Sequence, residues 1–302
     1  MTAIVVKLVL VAVIWGGTFI AGRIAAPEMA PTTAALIRYV TASLALLAMA
    51  FATEGGLPKL DRRRWLMVTA LGFAGVAGYN YLFMVGLETV PASRGSLIMA
   101  LNPAATMIGA ALFLHEPITI AKIVGTLLAL IGVAIELGDG NPLSLVAGGM
   151  GEGELALFGC VVGWAAYTLI AKKVTGLSAL AVTTYAAVIG MLMLAVLVVA
   201  RGDPLVPHAS LRVWLALVYM GVLGTALAFV WFLEGVKTLG PARAAIFVNL
   251  VPVAAITLGV LLLGERLTLA MLAGAVLVIA GVWIINRPAG ATPASAMAPH
   301  HP

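Results

Sequence analysis

The sequence predicts an all-α polytopic membrane protein, with ten transmembrane helices forming two inverted five-helix repeats around a central cavity. Three observations predict it. Of the 302 residues, 63% are hydrophobic and only 10% are charged, against roughly half and a quarter in soluble domains. Apolar stretches of about 20 residues, the length that crosses a bilayer as a helix, recur along the chain. The chain also matches itself at a shift of 149 residues.

The apolar stretches fall near 4–22, 33–53, 65–88, 91–113, 119–137, 153–172, 179–200, 211–235, 240–263 and 268–286. In the first, Lys7 precedes an apolar core, and a secretory signal is the alternative reading of it; its later partner under the 149-residue shift argues for a retained span. Turns at 89–90, 114–118 and 236–240 are short. Between the fifth and sixth spans, GDGNPLSLVAGGMGE at 138–152 has the Gly, Pro and Asn content of a flexible linker. The organisation is then a first unit at 1–137, the linker, a second unit at 153–287, and a Pro/Ala-rich tail at 288–302 predicted to be disordered. An even number of spans puts both termini on one side. Placing them in the cytoplasm leaves eleven Lys and Arg residues inside and five outside, with Arg38 within the second span, as the excess of positive charge on cytoplasmic loops requires.

Aligned without a gap, residues 89–133 and 238–282 are identical at 14 of 45 positions, among them Arg94/Arg243, Pro103/Pro252, Glu116/Glu265, Gly125/Gly274 and Gly132/Gly281. Composition alone gives roughly four or five such identities, so the repeat is genuine. The same shift pairs Trp15 with Trp164, Gly75 with Gly224 and Phe83 with Phe232. Five spans per copy is an odd number, so the second copy enters the membrane from the opposite side. Two inverted copies can exchange conformations and expose a central site to each side in turn, which is a carrier's geometry.

In such carriers the site is marked by Gly- or Pro-interrupted helices at corresponding positions. Pro103 and Pro252 meet that description and are the expected hinges, each midway along its span. Asn102 and Asn249 flank them; an amide in hydrocarbon must face a partner, either a cargo or another helix. Trp15, Tyr79, Tyr81, Trp164, Tyr167 and Trp231 fall within spans rather than at interfacial belts. Cavity lining and apolar packing are both open to them, and the repeat singles out Trp15 and Trp164. Met99 lies one turn before Asn102 and shares its face. The candidate cargo-binding residues are therefore Trp15, Tyr79, Met99, Asn102, Trp164 and Asn249, with Arg38 and Tyr167 as polar support. Arg38 is expected to pair with Glu28 or Glu88 at the same end of the bundle. Arg94 and Arg243 read as side chains snorkelling from helix ends, Gly159 and Gly163 as a close helix-packing motif, and Glu116 and Glu265 as stabilisers of the adjacent helix starts.

Every Asp and Glu lies at a span end or in a loop. No membrane-centre carboxylate offers a proton relay or a cation site, so the expected cargo is a small molecule, neutral overall or zwitterionic. Cys160 is the only cysteine, and the paired His300 and His301 in the tail are weak evidence for a metal, so neither a disulfide nor a metal site is expected. No catalytic group and no cofactor are expected: the glycines at 138–152 lack the GK[ST] of a phosphate cradle, and HEPIT at 115–119 is not HExxH. The basic residues sit at span ends rather than on an aromatic-interleaved stripe, which argues against nucleic acid. A passive channel would show a polar stripe or ring of charge. The expected partners are the lipid bilayer and the cargo, for a monomer or, alternatively, a homodimer.

The WGGTF of the first span, the kinked NPAA and VPVAA of the fourth and ninth, and the HEPIT and GERLT turns resemble the EamA family of the drug/metabolite transporter superfamily, over about residues 5–286. The resemblance implies a ten-helix basket whose cavity is lined by spans one, three, four, six, eight and nine, with cargo moved outward across a bacterial inner membrane. Within the family the chain looks most like YddG-type amino-acid exporters, which places Trp15, Tyr79, Met99, Asn102 and Trp164 on cavity spans. Small multidrug pumps of the superfamily need a membrane-centre Glu in span one, and AVIWGGT has none.

Overall fold

A computed structural model describes residues 2–115, 118–141, 150–239, 244 and 247–285. Glu116, Pro117, Arg243, linker residues 142–149 and the tail with His300 and His301 lie outside the described residues. Within them, eight helices are long and apolar enough to cross a membrane: α1 (Thr2–Ala25), α2 (Pro31–Glu54), α3 (Arg62–Thr89), α4 (Ala92–Leu114), α5 (Ile120–Leu137), α6 (Glu152–Lys172), α7 (Ala179–Arg201) and α8 (Leu211–Gly235). Two shorter apolar helices follow, α9 (Leu250–Leu263) and α10 (Leu269–Ile285). Leu44, Phe73, Phe113, Val196, Leu261 and Val276 stand exposed along the middles and ends of these helices, a surface that hydrocarbon covers and water does not.

Local chemistry sets the helix ends. Asp61 accepts the Arg64 amide at the start of α3 (2.7 Å), Ser178 the Ala181 amide at α7 (3.0 Å) and Thr268 the Met271 amide at α10 (3.1 Å), each satisfying a donor the helix itself cannot. Gly55, Gly202 and Gly264 close α2, α7 and α9 in the left-handed region, where a side chain is strained. His115 takes the same conformation after α4 at φ 55°.

The proline helices break rather than bend. α4 stops at Met99 and restarts at Asn102, so Pro103 occupies the first turn of a new segment, where a missing amide costs least. Its shift partner behaves alike: Asn249 forms the turn immediately before Leu250 opens α9. A second interruption goes unannounced in the sequence. α3 carries a π-helical stretch at Gly72–Gly78 and α8 another at Tyr219–Leu227, positions that superimpose under the 149-residue shift. Side chains take up carbonyls there: Asn80 Nδ2 donates to Val76 O (2.9 Å) and Thr225 Oγ1 to Met220 O (3.0 Å). Glycines in these stretches admit close neighbours. A methyl at Gly75 would collide with the Tyr167 ring, and one at Gly221 with Thr41 and the Arg38 carbonyl.

Helix packing recurs with the halves exchanged. α1 packs on α9 as α6 packs on α4, α2 on α8 as α7 on α3, and α3 on α6 as α8 on α1. The self-matched contacts are α2 with α7, α4 with α9 and α5 with α10, the last the most extensive among the described residues. In it Gly125 lies against the Gly281 carbonyl and Gly132 against the Gly274 carbonyl, leaving no space for a Cβ at any of the four. Gly163 of α6 meets the Ala74 backbone and Gly159 the Leu82 side chain of α3, the close packing expected of that motif.

Candidate functional site

Between the helices lies a cavity of about 790 Å³. α1, α3, α4, α6, α8 and α9 contribute to it, joined by residues of α2, α5, α7 and α10. All ten residues singled out in the sequence line it: Trp15, Arg38, Tyr79, Met99, Asn102, Pro103, Trp164, Tyr167, Asn249 and Pro252. Tyr81 and Trp231 do not belong to the lining. Tyr81 accepts from Arg201 (3.3 Å), and the Trp231 ring lies 5.9 Å from the Lys7 ammonium.

One wall is aromatic. Tyr167 stacks on Trp164 (centroids 5.7 Å), Trp164 leans on Tyr79 (5.9 Å), Tyr79 stacks on Phe83 (6.1 Å) and Phe83 meets the edge of Phe19 (5.1 Å). Such offset and edge contacts hold the rings in place while leaving faces for an apolar or aromatic ligand. Trp15 stands apart, packed on Phe232 and Phe229 at 5.5 and 6.1 Å, and its indole N–H donates to Gly224 O in the π stretch (2.9 Å). The Tyr219 hydroxyl donates to Ile14 O (2.7 Å) and Thr168 to Trp164 O (2.8 Å). These polar tips are spent on the protein. Asn102 is different: its Oδ1 is buried and has no partner among the described residues.

The cavity runs to one end of the bundle, where Leu114, Lys122, Lys172 and Ile285 line it. At the other end the helices are tied together. Glu265 accepts the Ala92 and Ser93 amides (2.7 and 3.1 Å) and the Ser93 hydroxyl (2.5 Å), so its carboxylate sits on the N-terminus of α4, where the helix dipole favours negative charge. The expectation that Glu265 serves its own adjacent helix start is corrected: Thr268 does that, and Glu265 reaches across the molecule. Arg94, expected to snorkel, instead bonds Glu136 (3.2 Å) and Asp139 (2.9 Å) and lies 3.9 Å from Glu154. Arg23 donates to the Leu87 and Glu88 carbonyls (both 2.8 Å).

Arg38 also departs from expectation. Glu28 is engaged by the Ser210 amide and hydroxyl (2.6 and 2.9 Å), and Arg38 forms no ion pair among the described residues. Its guanidinium carbon sits 5.7 Å from the Phe83 ring and 5.8 Å from the Tyr39 ring. Phe19, Tyr39, Phe83, Ser96 and Thr225 of the lining were not distinguishable in the sequence from ordinary packing residues; the Phe83/Phe232 match was the only signal. Among the described residues no group of three His, Cys, Asp or Glu side chains is placed to hold a metal.

Comparison with known proteins agrees with this architecture. The chain is 30% identical over 269 residues to the uncharacterized transporter YyaM of Bacillus subtilis, covering 88% of each chain. It is 30% identical over 280 residues to a probable terminal-alkyne amino-acid exporter of Streptantibioticus cattleyicolor, covering 93% of this chain and 92% of that one. A solved crystal structure 19% identical in sequence shares the fold, with a TM-score of 0.67 over 93% of this chain and 95% of its own. The model of the EamA-like transporter family matches residues 2–137 and again 151–287, nearly the whole chain, which therefore belongs to that family of membrane transporters.

Proposed function

We propose that this protein is a secondary transporter that exports small neutral or zwitterionic metabolites, amino acids foremost and aromatic ones among them, by alternating access. The observation that carries it is the aromatic-walled cavity, which reaches one end of the bundle and is tied shut at the other. The recurrence of the larger helix contacts with the halves exchanged supports ten spans in two inverted five-helix repeats, at 1–137 and 153–287, since such a pair adopts its mirror conformation by swapping roles. The reading puts the protein in a bacterial inner membrane with both termini in the cytoplasm, a topology that the one-sided excess of Lys and Arg supports, as a monomer or, alternatively, a homodimer. The cavity then faces the cytoplasm, ready to load cargo for export. A relative carrying the name of an amino-acid exporter supports the cargo class.

The test is efflux from liposomes containing purified protein, preloaded with labelled phenylalanine, leucine or glutamine, with and without a proton gradient. Efflux of at least one above protein-free liposomes is expected. No movement of any amino acid in either direction would overturn the cargo assignment.

A further inference from the structure

We infer that Arg38 is the carboxylate-binding subsite of the cavity, so that the cargo carries a free carboxylate and enters in one orientation. The inference rests on the transport reading for its setting, and on Arg38 itself for its content.

Arg38 is 8% exposed and lines the cavity. Its Nε is buried without a partner, and no hydrogen bond or ion pair from its side chain is present among the described residues. Glu28 is engaged by Ser210, Glu265 by the start of α4, and Glu136, Asp139 and Glu154 by Arg94. An Arg is charged at any accessible pH, and a buried charge without a counter-ion costs more than two ring faces return. A protein retains such a group where a ligand supplies the missing charge. The guanidinium fork matches a carboxylate with two parallel hydrogen bonds, and the Phe83 and Tyr39 rings flank it at 5.7 and 5.8 Å.

The second half does not repeat the arrangement. The residue 149 positions on is Ala187, which also lines the cavity. The positive charge is therefore one-sided, although the frame is symmetric. In the same cavity the buried, unpartnered Asn102 Oδ1 is an acceptor, suited to the ammonium of a zwitterion rather than to a second acid.

The experiment measures ligand-induced shifts in the unfolding temperature of the purified full-length protein in detergent. The probes are phenylalanine against phenylalaninamide, and phenylacetate against phenylacetamide, with inorganic phosphate and anionic lipid as separate arms. Each acid is expected to stabilise at concentrations roughly tenfold or more below its amide. In Arg38→Met, which removes the charge but keeps the bulk, acid and amide should become equivalent, and Arg38→Lys should restore part of the preference. Equal stabilisation by acid and amide in the unmodified protein, or by phosphate and phenylacetate, overturns the assignment. So does a preference that survives in Arg38→Met, or the absence of any shift with either acid. Should Arg38→Met not fold, the acid-to-amide ratio of the unmodified protein and the Lys variant decide it. Acid-selective stabilisation without efflux would sink the transport reading and leave this site standing; efflux without acid preference would do the reverse.

Discussion

Trp164 touches Tyr79 on one side and Tyr167 on the other, and so holds the centre of the aromatic wall. Each ring contact of this kind is worth about 0.5–1.5 kcal/mol beyond area, so Trp164→Ala is expected to weaken cargo binding roughly three- to tenfold or more. Asn102→Ala removes an unpartnered acceptor and should lower uptake into the site while leaving the unfolding temperature unchanged or raised, since no intramolecular bond is lost. Cargo titration and thermal unfolding of the same samples check both, and unchanged binding in the two variants would move the site elsewhere. At this scale the repeat sets Trp15 and Trp164 apart, and both line the cavity, whereas Tyr81 and Trp231 turn to Arg201 and Lys7. It was silent on what the two tryptophans do. Trp15 gives its N–H to Gly224 O, a carbonyl 209 residues away that no local pattern reveals. Phe19 and Phe83 were invisible because an aromatic in an apolar run looks the same whether it faces a cavity or a neighbour.

Helix ends were legible wherever one residue's chemistry suffices, as at Asp61, Ser178 and Gly55. The breaks in α4 and before α9 were legible through Pro103 and Pro252. The π stretches were not, because glycines in a helix read equally as close packing. Nor was the role of Glu265, whose partners at Ala92 and Ser93 lie far back in the chain. That carboxylate ties α9 and α10 to α4 at the end opposite the cavity mouth. Glu265→Gln keeps one acceptor but loses the charge, which near a helix N-terminus is worth about 0.3–1 kcal/mol, and up to about 2 kcal/mol in partly buried geometry. A single cysteine at Ser96, in a chain with Cys160 replaced by Ala, should then react several-fold faster with a membrane-impermeant thiol reagent applied from the Glu265 side. An unchanged rate would mean that Arg94 and its acids hold this end alone.

Across the whole molecule the symmetry of the frame was readable from a shift of 149 residues, and the asymmetry of its contents from the same alignment: Asn102 stands opposite Val251, Tyr79 opposite Ala228 and Arg38 opposite Ala187. What the alignment could not supply was which helix meets which. The largest contact, α5 on α10, is drawn so close at its glycines that a side chain has nowhere to go. Gly132→Val should cost about 1–3 kcal/mol through overpacking, seen as a lower unfolding temperature and a smaller monodisperse fraction, whereas enlarging the exposed Val276 to Leu should cost little. The pairing is also crossed. Gly125 does not meet its own counterpart Gly274 but Gly281, the counterpart of Gly132, while Gly132 meets Gly274. A bulkier residue accepted at 125 therefore needs room made at 281, and relatives should carry that constraint as covariation between positions that do not correspond under the shift.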